Sequence, residues 1–488
     1  MKLTKRQLLL LTVILALYLF LQARLLYIRP SIWPDEAVYF DIAHNLVSHG
    51  RLATDLWSGL VPGVEHMALW NPPVFFLALA AWLKITGFSL LSQRAFSAVT
   101  GAAVLLLLYA LARRLLPPRP SWLAFLPPVF ALADFHFMRA TRVSRPEIFV
   151  LFFVLASLNL FLARRPSRPS PLLLSLSGLL LSLAILTHPL AAFFLIFFGY
   201  CFFHDRHRLH LRSVISFFLG LFLPIIVWLL AIHPYWSYLY DQMHLAAIKK
   251  FSEAPWLILT FQGANTGLKL VYATYLAVSV AGLKQILTKP SSQHNNLLVL
   301  LATSWFMAIY GRMFWYYVYL VPFVGLTAIS QVKPTSHFQL KHPPLAISAL
   351  FIITSLYSMK DFIAASGSRL SYQDYSTAVA EALPPSSTVY LSAIPDPYYA
   401  LAPTSDRYRL IEFPVYPLDK TDYLAVLDRA DYIVTTGNQE QLIFGSLFPD
   451  YIKANSQDST TIGPSGGYQA TIIKLKTIRT HPQTSPRL

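Results

Sequence analysis

Asp35 and Glu36 stand side by side in the stretch SIWPDEAVYFDIAHNLVSHG, directly after an apolar run that ends near Tyr27. A carboxylate can take the proton of an attacking hydroxyl or hold a cation, and charges beside hydrocarbon are costly enough to need a reason. A further acid, Glu147, closes MRATRVSRPE (138–147), behind Arg139, Arg142 and Arg145. Arginine grips phosphate through charge-assisted paired hydrogen bonds. His188 lies in the hinge THP (187–189), and Arg312 precedes the aromatic run MFWYYVYL (313–320). Acids and guanidinium groups together suit a substrate made of a lipid tail, a phosphate and a polar group. For any one of these charges, the plain alternative is a solvated loop.

The elements that must position these groups are membrane spans. The 488 residues are 55% hydrophobic and 13% charged, and apolar runs of about 16 to 22 residues recur, the length of a bilayer-crossing helix. Spans are predicted near 8–28, 91–112, 121–137, 147–163, 171–187, 189–203, 213–232, 266–287, 296–310, 313–330 and 343–358. The first run lacks a small-x-small cleavage site and reads as an uncleaved helix. Residues 72–90 (NPPVFFLALAAWLKITGFS) are apolar enough to be a twelfth span. Parity decides: excluding them puts the basic clusters at 113–119, 164–168, 206–212, 284–289 and 333–341 on the cytoplasmic side, as the positive-inside rule requires. Residues 72–90 therefore read as a juxtamembrane or re-entrant helix. The net charge of +16 reflects these orientation signals, and nucleic acid is not a partner. The one cysteine, Cys201, excludes an internal disulfide.

This topology puts the N-terminus inside and the loop 29–90, the stretch 138–147, the hinge 187–189, the loop 233–265 and Gly311-Arg312 outside. Residues 1–358 contain ten acids, and all but Asp205 fall on or within about a turn of the external face. Acids and the exceptional bases Arg139, Arg142, Arg145, Lys249, Lys250 and Arg312 thus converge on one face. Asp134 reads as scaffolding, paired with Arg139 or Arg142. The aromatic run 313–320 fits stacking on sugar or prenyl units and equally fits interfacial packing.

The order of the motifs carries a resemblance. PDEAVYFDIAHNLVSHG after the first span, WNPPVFF closing the first loop, RVSRPEIFVLFF opening the fourth span and GRMFWYYVYLVPF near the tenth resemble the GT-C glycosyltransferases. Within them the likeness is to the branch of dolichyl-phosphate-mannose protein mannosyltransferases and bacterial aminoarabinose (lipid A) transferases. It implies a mostly α polytopic membrane protein with the GT-C fold, about 11 transmembrane helices, moving a sugar from a polyprenyl-phosphate donor to a hydroxyl or amine of a lipid, glycan or protein. Asp35 then matches the catalytic base, Glu36 its supporting neighbour, and Glu147 the acid of the second external loop. Arg142, Arg145 and Arg312 match donor-phosphate ligands, as does His188, where some relatives have Lys. Asn71, standing where many have His or Lys before Pro-Pro, joins His66 and Tyr39 as candidates for positioning the acceptor or the loop.

The chemistry is coherent with that resemblance. The phosphate is a good leaving group, the acceptor attacks the anomeric carbon, a carboxylate removes its proton, and cations on the far side stabilise the departing phosphate. In-line displacement predicts inversion. No cofactor is required. A divalent cation, Mg²⁺ or Mn²⁺, would draw on Asp35 and Glu147, but basic residues already face a monophosphate and neither loop holds Asp-x-Asp. HDRHRLH (204–210) reads as a topology signal.

Residues 1–358 form the transmembrane catalytic domain on this reading, and 359–488 a soluble extracytoplasmic α/β domain. The second holds thirteen of the twenty-three acids and alternates strand-like pieces (STVYLSA, YRLIEFP, DYIVTTG, YQATIIKL) with helix-like ones (YSTAVAEAL, KTDYLAVLDRA). GPSGG (463–467) is a turn signal, not a phosphate loop. The protein is expected in a bacterial inner membrane. The competing class, a polyprenyl-lipid binder or flippase, predicts charged or broken helices near the bilayer midplane and repeated halves; no repeat is read, and the later spans 266–358 contain no acid, which favours chemistry over passage.

Overall fold

Thr4 opens the first helix, α1 (Lys5–Leu25), with a capping box: its hydroxyl accepts from the Gln7 N–H, and the Gln7 side chain accepts from the Thr4 N–H. The structure, a computed structural model, describes residues 4–26, 31–116, 121–163, 170–207, 210–251, 266–288, 291–311, 314–331, 352–357, 372–402, 407–413, 420–437, 446–463 and 468–476. The chain divides into two compact units, Met1–Pro30 with Leu69–Gly367, and Ser31–Ala68 with Ser368–Leu488. The sequence division at 358/359 had kept residues 31–68 with the helices; by their contacts they group with the C-terminal residues. Arg312, Glu253, the predicted span 343–358 except 352–357, the turn at 464–467 and the C-terminal tail lie outside the described residues.

The first unit is helical. α2 (Pro34–His49) belongs to the second unit; the first continues with α3 (Val74–Thr86), α4 (Leu90–Leu115), α5 (Leu126–Ala133), α6 (Phe135–Ala140), α7 (Pro146–Ala163) and α8 (Pro171–Ile185). After these come α9 (Leu195–His204), α10 (Leu211–Ala231), α11 (Trp236–Phe251), α12 (Thr266–Thr288), α13 (Ser292–Gly311) and α14 (Val321–Ser330). Among the described residues five helices are long and apolar enough to cross a membrane: Lys5–Arg24, Leu90–Leu115, Pro146–Ala163, Leu211–Ala231 and Thr266–Lys284. α10 turns Leu219, Leu223, Val227 and Leu230 outward, each more than half exposed. Such a face is unfavourable in water and natural in lipid.

Three predicted spans are not single helices. The run 121–137 is a 3-10 turn (Ser121–Phe125) and α5, broken where Asp134 leaves helical geometry and caps α6. The run 189–203 begins as a 3-10 turn, Pro189–Phe194, before α9. The run 313–330 begins as another, Phe314–Tyr319, before α14, whose start carries Pro322. Proline at the starts of α5, the turn Pro189–Phe194 and α14 supplies no N–H and favours such a restart. The expected loop 233–265 contains α11.

α8 packs against α7 and α10, and α7 against α4. The α8–α10 crossing is closer than side chains permit: a Cβ on Gly178 would fall on the Phe217 carbonyl oxygen, and one on Gly220 on that of Ser175. The core runs continuously through these helices and includes Leu108, Phe130, Leu151, Leu158, Phe217 and Leu326.

The second unit is a mixed sheet with α2 as one of its helices. β1 (Thr388–Ser392) lies between β2 (Arg409–Glu412) and β3 (Tyr432–Thr435), all parallel. β5 (Ala470–Leu475) pairs antiparallel with β3, and β4 (Ser456–Ile462) antiparallel with β5, giving the order β2-β1-β3-β5-β4. The four strand-like pieces read from the sequence are β1, β2, β3 and β5. β4 went unread.

Candidate functional site

In the first unit, the starts of α3 and α7 and the ends of α8 and α13 meet at one end. The Val74 N–H donates to the Leu186 carbonyl at 3.0 Å, fixing the WNPP segment beside the THP hinge. The side chain of Gln242, on α11, accepts from the N–H groups of Leu69 (2.6 Å) and Trp70 (3.1 Å), just before the buried Asn71. These bonds satisfy a buried irregular backbone that the apolar surroundings could not.

His188 caps the 3-10 turn Pro189–Phe194: its Nδ1 accepts from the Leu190 N–H at 3.3 Å. Accepting at Nδ1 makes the neutral ring the Nε2–H tautomer, so Nε2 donates to the Tyr316 hydroxyl at 3.4 Å. The Tyr316 ring lies so near Gly311 that a Cβ there would strike it, which gives the glycine of the Gly-Arg pair a steric reason.

One residue before Tyr316, Trp315 is buried with two guanidinium groups over its ring, Arg139 at 4.3 Å and Arg145 at 4.5 Å from the centroid. Planar guanidinium stacks on indole more favourably than an ammonium does. Arg145 also forms a forked pair with Glu147: Nη2 donates to Oε1 at 3.0 Å, and Nε lies 3.3 Å from both carboxylate oxygens. Their side chains are 10% and 2% exposed. Pro146 between them starts α7 and sets the turn that lets residues two apart meet. The Tyr319 hydroxyl, within electrostatic reach of Glu147 and Arg145, is buried without a hydrogen-bond partner among the described residues.

Arg142 is tied to α1. Its Nε donates to the Gln22 side chain at 3.1 Å, and Gln22 in turn donates to the Thr141 hydroxyl at 2.7 Å, tying α1 to the 138–147 segment. Asp134 is scaffolding, but not through the expected arginines. It accepts the N–H groups of His136 (2.8 Å) and Phe137 (3.1 Å) and the Tyr275 hydroxyl. The structure thus brings Arg145, Glu147, His188 and the 71–74 segment to one end of the first unit and adds Arg139 and Trp315.

The second unit holds Asp35, Glu36, Tyr39 and His66. Pro34 starts α2 and Gly50 ends it in the left-handed conformation (φ 69°). Asp35 and Glu36 occupy the first turn, where the helix dipole favours negative charge. They do not share an environment: Asp35 is half-buried, whereas Glu36 is wholly buried, its Oε2 3.4 Å from the Trp33 N–H. Tyr39 is buried; His66 is exposed, 3.8 Å from Glu65. The residue that sequence reasoning missed is Asp41. It accepts from Thr54 (2.6 Å), Asn45 (3.2 Å) and the Tyr398 hydroxyl (3.0 Å). Burial pushes its carboxyl up to about 6, against the pull of the Thr54 and Tyr398 hydrogen bonds.

Among the described residues no three His, Cys, Asp or Glu side chains cluster as a metal site would need. Both oxygens of Glu147 accept from Arg145.

Residues 70–236, which include Asn71, Arg139, Arg142, Arg145, Glu147 and His188, match the sequence model of the family described as dolichyl-phosphate-mannose-protein mannosyltransferase. An uncharacterised protein of Aquifex aeolicus (strain VF5) is 30% identical over 166 residues, covering 34% of this chain and 32% of that protein. The fold is similar to that of ArnT from Cupriavidus metallidurans bound to undecaprenyl phosphate, with a TM-score of 0.59 and 12% identity over 99% of this chain and 100% of that one. It is similar also to the archaeal oligosaccharyltransferase AglB from Archaeoglobus fulgidus, in complex with an inhibitory peptide and a dolichol-phosphate: TM-score 0.58, 13% identity, 96% of this chain and 74% of that one. The GT-C resemblance read from the motifs is borne out: this chain has the fold of ArnT and AglB, and the segment carrying Arg139, Arg142 and Arg145 matches the model of the mannosyltransferase family.

Proposed function

We propose that the protein is an integral membrane glycosyltransferase that moves a sugar from a polyprenyl-phosphate donor to a hydroxyl or amine on the extracytoplasmic face, with inversion. The observation that carries this reading is the buried Arg139–Trp315–Arg145 stack with Glu147 behind it; Arg139, Arg145 and Glu147 lie inside the segment 70–236 that matches the family model, and Trp315 lies beyond it. The fold likeness to structures holding undecaprenyl phosphate and dolichol-phosphate supports a polyprenyl carrier. The eleven-span topology with the N-terminus inside is part of the same proposal.

Arg139 and Arg145 are assigned the donor phosphate. When the bond between the anomeric carbon and the phosphate oxygen breaks, its electron pair goes to that oxygen and the phosphate gains one negative charge, which fixed guanidinium groups stabilise without reorganising. Glu147 aligns Arg145, and His188 aligns Tyr316. Asp35 is assigned the proton lost by the acceptor as its bond to the anomeric carbon forms. Glu36, buried against the start of α2, positions that turn. No metal is needed, since guanidinium groups replace the cation that a doubly charged donor would call for.

The test is sugar transfer by the purified protein in liposomes, from a panel of polyprenyl-phosphate monosaccharides to native lipid and protein extract, with and without chelator. Turnover should persist in chelator. It should fall at least about 100-fold in Asp35→Asn with donor binding retained, and donor binding should weaken in Arg139→Ala. An Asp35→Asn variant as active as wild type removes the base assignment; donor bound but never transferred favours the lipid-binding reading.

A further inference from the structure

Two carboxyl groups inside the second unit take no part in the reading above. Asp396, after β1, is 1% exposed, and Glu412, the last residue of β2, is 0% exposed. One oxygen of each is spoken for: Asp396 Oδ1 accepts the Tyr398 N–H at 2.9 Å, and Glu412 Oε1 accepts the Phe413 N–H at 3.1 Å. The other two, Oδ2 and Oε2, are buried with no other partner among the described residues, yet the two side chains lie within hydrogen-bonding reach of each other. Neither carboxyl is paired with a lysine, arginine or histidine among the described residues. Two bare carboxylates cannot sit so in apolar surroundings, and a single proton on Glu412, donated to Asp396, satisfies both oxygens at once.

The same two residues hold the first loop by their main chain. The Asp396 N–H donates to the Ile32 carbonyl (3.2 Å), two residues before α2, and the Glu412 N–H donates to the Leu56 carbonyl (3.0 Å), shortly after it. The groups facing the pair are few. α2 contributes Glu36, whose charge is felt by Asp396. The helix Tyr372–Ala382 contributes Tyr372, donating to the Asp396 carbonyl, and Tyr375, donating to that of Pro395. Tyr398 turns its phenol to Asp41.

We propose that Asp396 and Glu412 form a proton clasp: one shared proton keeps the pair in place, and their N–H groups thereby hold both flanks of the segment that carries Asp35. They are positioning residues, not groups that touch substrate. Burial pushes the Asp396 carboxyl up to about 7 and the Glu412 carboxyl above the ordinary glutamate range. Folded values above the unfolded ones mean that the clasp is intact in acid and loosens as pH rises through and beyond neutrality. The bearing on catalysis rests on the transferase reading; the clasp itself does not.

Amide hydrogen exchange of α2 in the full-length protein, corrected for the intrinsic pH dependence, tests it between pH 6 and 9. The opening constant of α2 should rise with pH, by up to about tenfold per unit where one proton is lost. It should be flat in Glu412→Gln, which keeps a donor but cannot ionise, and flatter in Asp396→Asn. A wild-type opening constant that does not change with pH overturns the clasp without recourse to any variant. So does an equal slope in wild type and both variants. Where wild type transfers sugar, its rate should fall over the same alkaline range and Glu412→Gln should extend it; absence of transfer at every pH refutes the transferase reading and leaves the exchange result to decide the clasp.

Discussion

Replacing Glu147 by glutamine removes one charge from the Arg145 pair and leaves the guanidinium buried. At the 3.0 Å separation and an effective dielectric near 20, the attraction is about 5 kcal/mol before desolvation is counted. With one side chain 10% exposed and the other 2%, losing the partner of a buried charge costs about 3–5 kcal/mol. Glutamine keeps one acceptor oxygen, and the Trp315 face remains 4.5 Å away, so about 3 kcal/mol is the expected loss. At roughly 2–4 °C per kcal/mol that is a fall of about 6–12 °C in Tm. The buried Cys201, the one cysteine in the chain, allows the assay: a thiol-reactive dye reports its exposure as the detergent-solubilised protein is heated. The double variant Arg145→Met/Glu147→Leu should recover most of the loss, because apolar residues of similar size replace a buried pair at little cost. It should not recover donor binding. A Glu147→Gln variant that unfolds within about 2 °C of wild type refutes the buried-pair reasoning, and a double variant that binds donor normally refutes the assigned role of Arg145.

Three further outcomes are expected. Because burial raises the Asp41 carboxyl to about 6, above its ordinary value, its contribution to the second unit is present in acid and lost as pH rises through about 6; Tyr398→Phe removes a stabilising donor, costs about 1.5–3 kcal/mol by thermal unfolding and moves that loss to higher pH, whereas stability unchanged between pH 5 and 8 contradicts it. Gly178→Ala puts a methyl group onto the Phe217 carbonyl and should cost about 1–3 kcal/mol, read as accelerated dye labelling at fixed temperature; an unaffected protein contradicts so close a crossing. Trp315→Leu removes the ring that both Arg139 and Arg145 contact and should weaken donor binding by roughly tenfold, about one cation–π contact or two, with unchanged affinity counting against the stack as the phosphate site.

What could be read in advance follows from the range over which each signal acts. Helices α1, α4, α7, α10 and α12 declare themselves by apolar runs, and β1, β2, β3 and β5 by short alternating segments, because those patterns are local. β4, SQDSTTI, is an edge strand with five consecutive exposed residues, so it has no buried face to impose a pattern. The breaks at Asp134, after His188 and before Leu320 were hidden by hydrophobicity that continues across them. Arg145-Pro146-Glu147 was legible as a motif, since all three residues are adjacent. Trp315 was not, because a tryptophan near a membrane interface is expected whether or not arginines flank it. Asp396 and Glu412 are two ordinary acids in a polar domain, and only the fold removes them from water.

The Tyr398–Asp41 hydrogen bond joins residues 357 positions apart. At ordinary rates of synthesis, about 5–20 residues per second, the helix bearing Asp35 is made about 20–70 s before the strands that hold it. Through that interval the first loop has no sheet to join, and a chain halted before residue 388 carries every arginine of the first unit but lacks the strands that hold α2. Completion of the last part of translation is then what fixes α2, and with it Asp35, in its place on the sheet.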